Sequence, residues 1–278
     1  MFKPRIFLVL PRPKAPLSNA IVIIPTFNEI ENISQIIDAT LGLPKDFDLL
    51  IVDDNSPDGT AEVVKDLQQN YNQTSTRLHL LQRQEKQGLG TAYIAGFHYA
   101  LEKGYEFILE MDADFSHDPE DLVRLYVACS EGDTDLSIGS RYVTGVNVVN
   151  WPMSRVLLSY FASAYVRLIT RMTIRDTTAG FVCYRRKVLE TIPLDKIKFV
   201  GYAFQIEMKF LAWKHGFNLS EVPIIFTDRV RGQSKLSAGI FKEGLFGVIQ
   251  MTFQSWFKKY TNTGHELHEG YTKKSTEQ

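Results

Sequence analysis

The first half of the chain alternates regularly between strand-like and helix-like segments. The strand-like runs are apolar and β-rich: "NAIVIIPTFNE", "FDLLIVDDNSPDGT", "RLHLLQR", "EFILEMDAD" and "TDLSIGSRY". Between them lie segments with helical spacing, such as "ENISQIIDATLGL", "AEVVKDLQQN" and "GLGTAYIAGFHYALEKG". Strict alternation of this kind predicts an α/β protein with a doubly wound, mostly parallel sheet.

Acidic or polar residues follow three of these strands, in the loops after Ile24, Val52 and Met111. The carboxyl ends of parallel strands meet at one edge of the sheet, where ligands of such folds bind. Asp112 and Asp114 are two positions apart on an extended chain, so their carboxylates point to the same face and repel each other. A hard divalent cation, Mg²⁺ or Mn²⁺, would offset that repulsion. The alternative is that both acids only solvate the end of a strand.

The next acids along the chain have a simpler explanation. The sequence Asp118-Pro119-Glu120-Asp121 is typical of a helix start, with Asp118 as the N-cap and Pro119 at the first helical position. Acidic side chains there face the positive end of the helix dipole. We therefore assign these residues to helix initiation rather than to a ligand site.

Composition excludes several classes of protein. The 278 residues carry a formal net charge of −1, which gives no electrostatic support for binding nucleic acid. The two cysteines, Cys129 and Cys183, lack metal-binding spacing and suit a reducing compartment. No phosphate-binding GxxxxGK motif is present, and no apolar stretch approaches the roughly 18 residues of a membrane-spanning helix. The apolar run near the N-terminus, residues 6–10, is too short for the core of a signal peptide.

Two segments of the second half are amphipathic. Residues 151–172 carry a polar line on one side of a predicted helix: Arg155, Ser159, Ser163, Arg167 and Arg171. The apolar line contains Met153, Val156, Leu157, Tyr160, Phe161, Ala164, Tyr165, Leu168 and Met172. A helix that covers the sheet with this apolar line is the common interpretation, and a helix lying on a membrane is the alternative. Residues 236–260 are rich in aromatics and end near a lysine pair, which also suits a membrane interface or an apolar partner.

The chain resembles the polyprenyl-phosphate (dolichyl-phosphate) mannose synthases, inverting family 2 glycosyltransferases with the nucleotide-binding GT-A fold. The resemblance covers about residues 19–258, in eight segments that occur in order: "IPTFNE", "VDDNSPDGT", "GLGTAYIAGF", "MDADFSHDPEDL", "GSRY", "DTTAGFVCYRR", "GYAFQIEM" and "EVPIIFTDRVRGQSKL". It implies an N-terminal extension (1–18), a catalytic domain (19–235) that includes an interface helix at about 151–172, a C-terminal amphipathic segment (236–260) and a disordered tail (261–278).

The resemblance also implies roles for individual residues. Those expected to bind the sugar-nucleotide donor are Pro25, Phe27, Glu29, Val52, Asp54, Asp112, Ala113, Asp114, Arg229 and Lys235. Of these, Asp112, Asp114, Arg229 and Lys235 are expected to serve catalysis. The metal would be held by Asp112 and Asp114, with Ser116 at a position where relatives can carry a glutamine. Arg141 and Arg155 match residues that hold the acceptor phosphate.

The expected reaction moves mannose from GDP-mannose to a polyprenyl phosphate, with inversion and with Mg²⁺ or Mn²⁺. A phosphate monoester has a second pKa near 6 and is largely ionised at neutral pH, so no catalytic base is expected, although Glu207 is a tempting candidate for one. The implied location is the cytoplasmic face of a membrane, bound peripherally or through a separate anchor protein. Three alternatives stay open: a synthase that uses UDP-glucose or another sugar nucleotide, a non-catalytic subunit that binds a nucleotide sugar, and a simple membrane-binding module.

Overall fold

A computed structural model describes residues 18–201, 203–229 and 238–260, with side chains from 246 onward in the last range. Its nine strands are β1 (Ala20–Thr26), β2 (Asp48–Asp53), β3 (Leu78–Gln82), β4 (Phe107–Glu110), β5 (Leu136–Ser140), β6 (Val148–Val149), β7 (Val182–Arg185), β8 (Leu219–Pro223) and β9 (Phe226–Thr227). The helices are α1 (Ile33–Leu41), α2 (Thr60–Tyr71), α3 (Leu89–Lys103), α4 (Asp121–Ser130), α5 (Met153–Thr170), α6 (Arg186–Thr191), α7 (Ala203–Lys214) and α8 (Ala238–Ser255).

Seven strands form one sheet in the order β3-β2-β1-β4-β7-β5-β8. β1 is parallel to both of its neighbours, β2 and β4, whereas β7 is antiparallel to β4 and β5. The predicted mixed, mostly parallel sheet is therefore confirmed. The chain runs outward from β1 to β3 and then returns to place β4 on the other side of β1. This reversal of strand order lies between β1 and β4, where folds of this type bind ligands.

The central strands are buried on both faces, as their unbroken apolar sequences require. One core cluster includes Tyr93 and Phe97 of α3 and Phe204 of α7; the other packs α1, α2 and α4 against the opposite face. Gly90 permits the first packing, because a Cβ there would lie 2.8 Å from the Phe204 ring. Its neighbour Gly88 adopts a φ of +104°. These glycines allow the start of α3 to approach Phe199, Val200 and Phe204 closely.

The start of α4 agrees with its prediction in one respect and differs in another. The Asp118 carboxylate accepts a hydrogen bond from the Glu120 amide, as an N-cap residue does, but the residues after it form a turn and the regular helix begins at Asp121. Further along the chain, the segment "FNLSEVPIIFTDR" forms two strands in different sheets, β8 and β9. The residues after β7 form the short helix α6.

The orientation of α5 is the largest departure from the common interpretation of its sequence. Its buried residues are Ser163, Val166 and Thr170, so part of the polar line faces inward. Phe161 and Leu168 of the apolar line are 62% and 78% exposed. The other exposed apolar residues of this helix are Met153, Leu157, Leu158 and Tyr160. Most of the apolar line thus faces solvent instead of covering the sheet.

Helix α8 packs against α5 and α7 and also exposes aromatic residues. Val248 and Met251 are buried, whereas Trp256 and Phe257, just after the helix, are 71% and 78% exposed. Phe246 and Phe253 are exposed as well. Within the described ranges, neither α5 nor α8 nor any other helix combines the length and apolar character needed to cross a bilayer. The predicted N-terminal extension and C-terminal tail fall largely or wholly outside those ranges, so both assignments stay predictions.

Candidate active site

The loops that follow β1, β2 and β4 lie side by side because these three strands are parallel neighbours. We call residues 25–29, 52–58 and 111–116 the carboxyl edge. The register pairs Thr26 with Asp53, and the Met111 amide donates to the Ile23 carbonyl, so all three loops begin at the same level of the sheet. The predicted meeting of three acidic strand ends is therefore confirmed.

Asp112 lies where negative charge is most concentrated. The pKa of Asp112 is raised to about 7, first by burial and then by the nearby carboxylates of Asp114 and Glu29, while Arg229 acts in the opposite direction. A carboxylate with this pKa is partly protonated at neutral pH unless a cation joins it. The concentration of negative charge around Asp112 would therefore favour the binding of a cation from solution.

Asp114 is buried and uses both carboxylate oxygens. One accepts a hydrogen bond of 3.0 Å from the Ser116 amide, across the left-handed residue Phe115, which has a φ of +57°. The other lies 2.8 Å from the Arg229 guanidinium. Ser116 therefore contacts Asp114 through its backbone, and Arg229 reaches the carboxyl edge as predicted.

The two acids that end β2 and begin the next loop have different partners. Asp53 accepts hydrogen bonds from the Thr26 hydroxyl and from the amide and hydroxyl of Ser56, so it holds the loops together. Asp54 pairs with Arg83 at 2.7 Å. Burial raises the pKa of Asp54 even though Arg83 opposes that shift. Arg83 was not among the predicted site residues, although it follows the parallel strand β3 and the same strand-end argument applies to it.

The remaining predicted donor residues lie along the carboxyl edge with different exposure. Phe27 is half-buried and its ring is 4.2 Å from the Lys86 ammonium, a cation–π contact. Pro25 and Glu29 are half-buried, and Ala113 is nearly buried. Val52 is fully buried in the sheet, so only its backbone could contact a ligand. Lys235 lies outside the described residues.

Arg141 and Arg155 come together around one indole ring. Their guanidinium carbons lie 5.7 Å and 4.1 Å from the centre of Trp151. We call these three residues, with Asp176 and Asp228, the arginine cluster. The structure thus brings together the two side chains that were predicted to hold an acceptor phosphate.

Each arginine of the cluster also has an acidic partner. Arg141 donates 2.7 Å hydrogen bonds to both carboxylate oxygens of Asp176, which is completely buried. Burial alone would raise the pKa of Asp176, but Arg141 outweighs it and the net pKa is lowered. Arg155 pairs at 2.8 Å with Asp228. Asp176 thus braces the Arg141 side chain, and Asp228, which was not among the predicted site residues, holds Arg155.

A continuous path of polar contacts joins the arginine cluster to the carboxyl edge. The Asp228 carboxylate that pairs with Arg155 also accepts a hydrogen bond from the Arg229 amide, and Arg229 pairs with Asp114. The buried ring of His117 lies between the two regions, stacked on Phe181. Burial lowers the pKa of His117 to about 4, so the ring is neutral at pH 7.

Helix α7 carries a second set of buried polar residues behind the site. Gln205 donates to the carboxylate of Glu110, and Lys209 donates to the Ala179 carbonyl and to the Gln205 carbonyl. Burial raises the pKa of Glu110 to about 8 and lowers that of Lys209 to about 8. The carboxylate of Glu207 accepts hydrogen bonds from two backbone amides, those of Lys198 and Phe199. Its contacts are those of a structural anchor.

Comparison with known proteins places the chain in a family. Residues 21–193 match the family "Glycosyl transferase family 2". The chain is 44% identical over 235 residues to polyprenol monophosphomannose synthase of Mycolicibacterium smegmatis, covering 84% of this chain and 87% of that protein. It is 43% identical over 230 residues to undecaprenyl-phosphate mannosyltransferase of Micrococcus luteus, covering 83% and 92%.

Solved structures with the same fold are more distant in sequence. Glucosyl-3-phosphoglycerate synthase from Mycobacterium tuberculosis, in a complex with Mn²⁺, UDP and phosphoglyceric acid, superposes with a TM-score of 0.61 at 14% identity. The match covers 85% of this chain and 78% of that one. This similarity supports the GT-A fold alone. Together, the family match over most of the sheet and the two relatives above 40% identity show that the chain belongs to glycosyltransferase family 2.

Proposed function

We propose that this glycosyltransferase transfers mannose from GDP-mannose to the phosphate of a polyprenyl phosphate, with inversion at the sugar carbon. The observation that carries the proposal is the 44% identity over 84% of the chain to a polyprenol monophosphomannose synthase. The geometry agrees, because a carboxyl edge suited to a sugar diphosphate adjoins an arginine cluster suited to a second phosphate. Both lie beside the strand reversal between β1 and β4.

The carboxyl edge has the donor set that a divalent cation needs. Asp112 and Asp114 offer hard oxygen ligands, and their mutual repulsion would be relieved by a Mg²⁺ or Mn²⁺ ion. No group of three or more acidic, histidine or cysteine side chains forms a metal cage within the described ranges. Water and the donor diphosphate would therefore supply the other ligands. When bound, such an ion neutralises the charge that develops on the leaving diphosphate.

The chain's own residues would carry the rest of the transfer. Arg229, now paired with Asp114, lies where its guanidinium could bind the diphosphate once a cation compensates that carboxylate. Arg141 and Arg155 would hold the acceptor phosphate. One of its oxygens attacks the anomeric carbon as the bond to GDP breaks. Because the phosphate already carries a negative charge at neutral pH, no side chain needs to remove a proton.

A lipid acceptor requires access to a membrane, and the exposed faces of α5 and α8 fit that requirement. Aromatic and aliphatic side chains with flanking cations are typical of helices that lie in a membrane interface. Flotation on neutral phosphatidylcholine vesicles tests this surface, with Phe161→Ser as the variant and Val127→Ser, which changes an exposed apolar residue on α4, as the control. Binding that Phe161→Ser leaves unchanged would argue against the surface.

The transfer itself is tested by incubating the protein with labelled GDP-mannose, Mg²⁺ or Mn²⁺ and a short polyprenyl phosphate, followed by thin-layer separation of the lipids. We expect a labelled mannosyl lipid. A parallel reaction with UDP-glucose tests the alternative donor. A product only from UDP-glucose would refute the mannose assignment, and no product from any sugar nucleotide would favour a binding subunit over an enzyme.

A further inference from the structure

A cavity of about 290 Å³ lies under α5, outside both the carboxyl edge and the arginine cluster. Its lining residues are Tyr142, Tyr160, Ala164, Arg167 and Arg175. Three of them come from α5, one follows Arg141 directly, and Arg175 belongs to the segment after α5. Arg141 and Arg155 do not line it.

The cavity contains two guanidinium groups and no carboxylate. No ion pair involves Arg167 or Arg175 among the described residues, in contrast to the carboxylate partners of Arg141 and Arg155. The side chain of Arg175 donates only to the Val143 carbonyl, at 3.3 Å. Two acids lie close to this segment but have other partners: the Asp176 carboxylate pairs with Arg141, and the Glu221 oxygens accept hydrogen bonds from the amides of Arg175 and Asp176 and from the Ser140 hydroxyl. The positive charge in the cavity is therefore left largely uncompensated.

The two tyrosines in the wall of the cavity are held in place by specific contacts. The Tyr142 hydroxyl donates to Ser159 at 2.7 Å, and the Tyr142 and Tyr160 rings pack edge to face with centroids 5.5 Å apart. Guanidinium groups, of which this cavity is lined by two, are well suited to bind phosphate oxygens. The volume is close to the lower limit for small-molecule sites, so it suits a phosphate with a small attached group rather than a nucleotide.

The surroundings indicate where such a phosphate would come from. Leu157, Phe161 and Leu168, on the same helix, are exposed apolar residues of the proposed membrane face. We propose that the cavity binds the phosphate of an anionic lipid headgroup, at a site separate from the acceptor phosphate. The inference rests on the proposed membrane face but not on the identity of the transferred sugar. Occupation of the cavity would anchor α5 at a defined depth beside the arginine cluster.

The test compares flotation on phosphatidylcholine vesicles with and without phosphatidic acid, at physiological ionic strength. Wild-type protein should bind the anionic vesicles more tightly than the neutral ones. The double variant Arg167→Gln/Arg175→Gln should lose about 25-fold in affinity for the anionic vesicles, since each basic residue at a membrane surface contributes a factor of about five. Its binding to neutral vesicles should not change.

The matched control is Arg171→Gln/Lys258→Gln, which removes the same charge from exposed positions near α5 and α8 that do not line the cavity. If both double variants lost the same affinity for anionic vesicles, the effect would come from general surface charge and the proposal would be wrong. Inorganic phosphate serves as the soluble probe of the same cavity. The site would be assigned to a free phosphate instead if phosphate raised the thermal stability of the wild type but not of the cavity variant, and if the wild type showed no preference for anionic vesicles. Turnover on a short acceptor in detergent should persist in the cavity variant; its loss would mean that this cavity holds the acceptor itself.

Discussion

The carboxyl edge and the arginine cluster each contain an aspartate whose pKa is shifted from its usual value, but the two charges are compensated differently. Asp112 lies among other carboxylates, and its pKa is raised to about 7. Asp176 accepts two hydrogen bonds from one guanidinium, and its pKa is lowered. The first carboxylate thus needs a cation from solution, whereas the second already has one from the chain. We therefore expect Asp112 to act on a ligand and Asp176 to hold the structure in place.

Substitution of Asp176 gives the most direct test of the difference between the two aspartates. The substitution Asp176→Asn should lower the free energy of unfolding by about 3–5 kcal/mol, because it leaves the buried guanidinium of Arg141 without a compensating charge. The matched control is Asp228→Asn in the half-exposed pair with Arg155, where we expect a loss of about 1 kcal/mol or less. Urea denaturation of both variants measures the difference. Similar losses would mean that burial does not distinguish the two ion pairs.

The opposite behaviour is expected at Asp112. The substitution Asp112→Asn should reduce turnover by about 10²- to 10³-fold, as for other groups that stabilise charge in a transition state. The metal-free protein should become no less stable, because the substitution removes a desolvated carboxylate that Asp114 repels. Turnover is measured with the mannosyl-lipid assay, and stability with urea in the presence of a chelator.

The control for this prediction is Asp121→Asn on α4, where the carboxylate pairs with Arg124 on the same helix. That variant should turn over like wild type. If Asp112→Asn kept full activity with the same dependence on Mg²⁺ or Mn²⁺, the assigned role of the carboxyl edge in binding a cation would be wrong.

The same two regions show what could be predicted from the sequence. The carboxyl edge follows from strand periodicity, because parallel strands that end in acids must place those acids together; Asp112 and Asp114 were found in this way. The pairing of Arg155 with Asp228 could not be predicted, since it depends on where β9 lies relative to α5. The direction of α5 was missed because the hydrophobic pattern identifies the apolar line without showing what will cover it. Here Ser163 and Thr170 face the protein and Phe161 faces solvent.

The smallest predicted effect is the pH dependence of the stability that the Asp176 carboxylate contributes. The pKa of Asp176 is lower in the folded protein than its usual value, so the folded state binds fewer protons there than the unfolded chain does. The stability that this carboxylate contributes is therefore complete above the unfolded pKa, near 4, and is lost as the pH falls through the folded pKa. The difference in unfolding free energy between wild type and Asp176→Asn should stay constant from about pH 5 to pH 7 and shrink below about pH 4, where protonated aspartic acid resembles asparagine. Urea denaturation at pH 6 and near pH 3 measures this change. A difference that persists unchanged at the lower pH would show that the variant loses stability through altered packing rather than through the charge of Asp176.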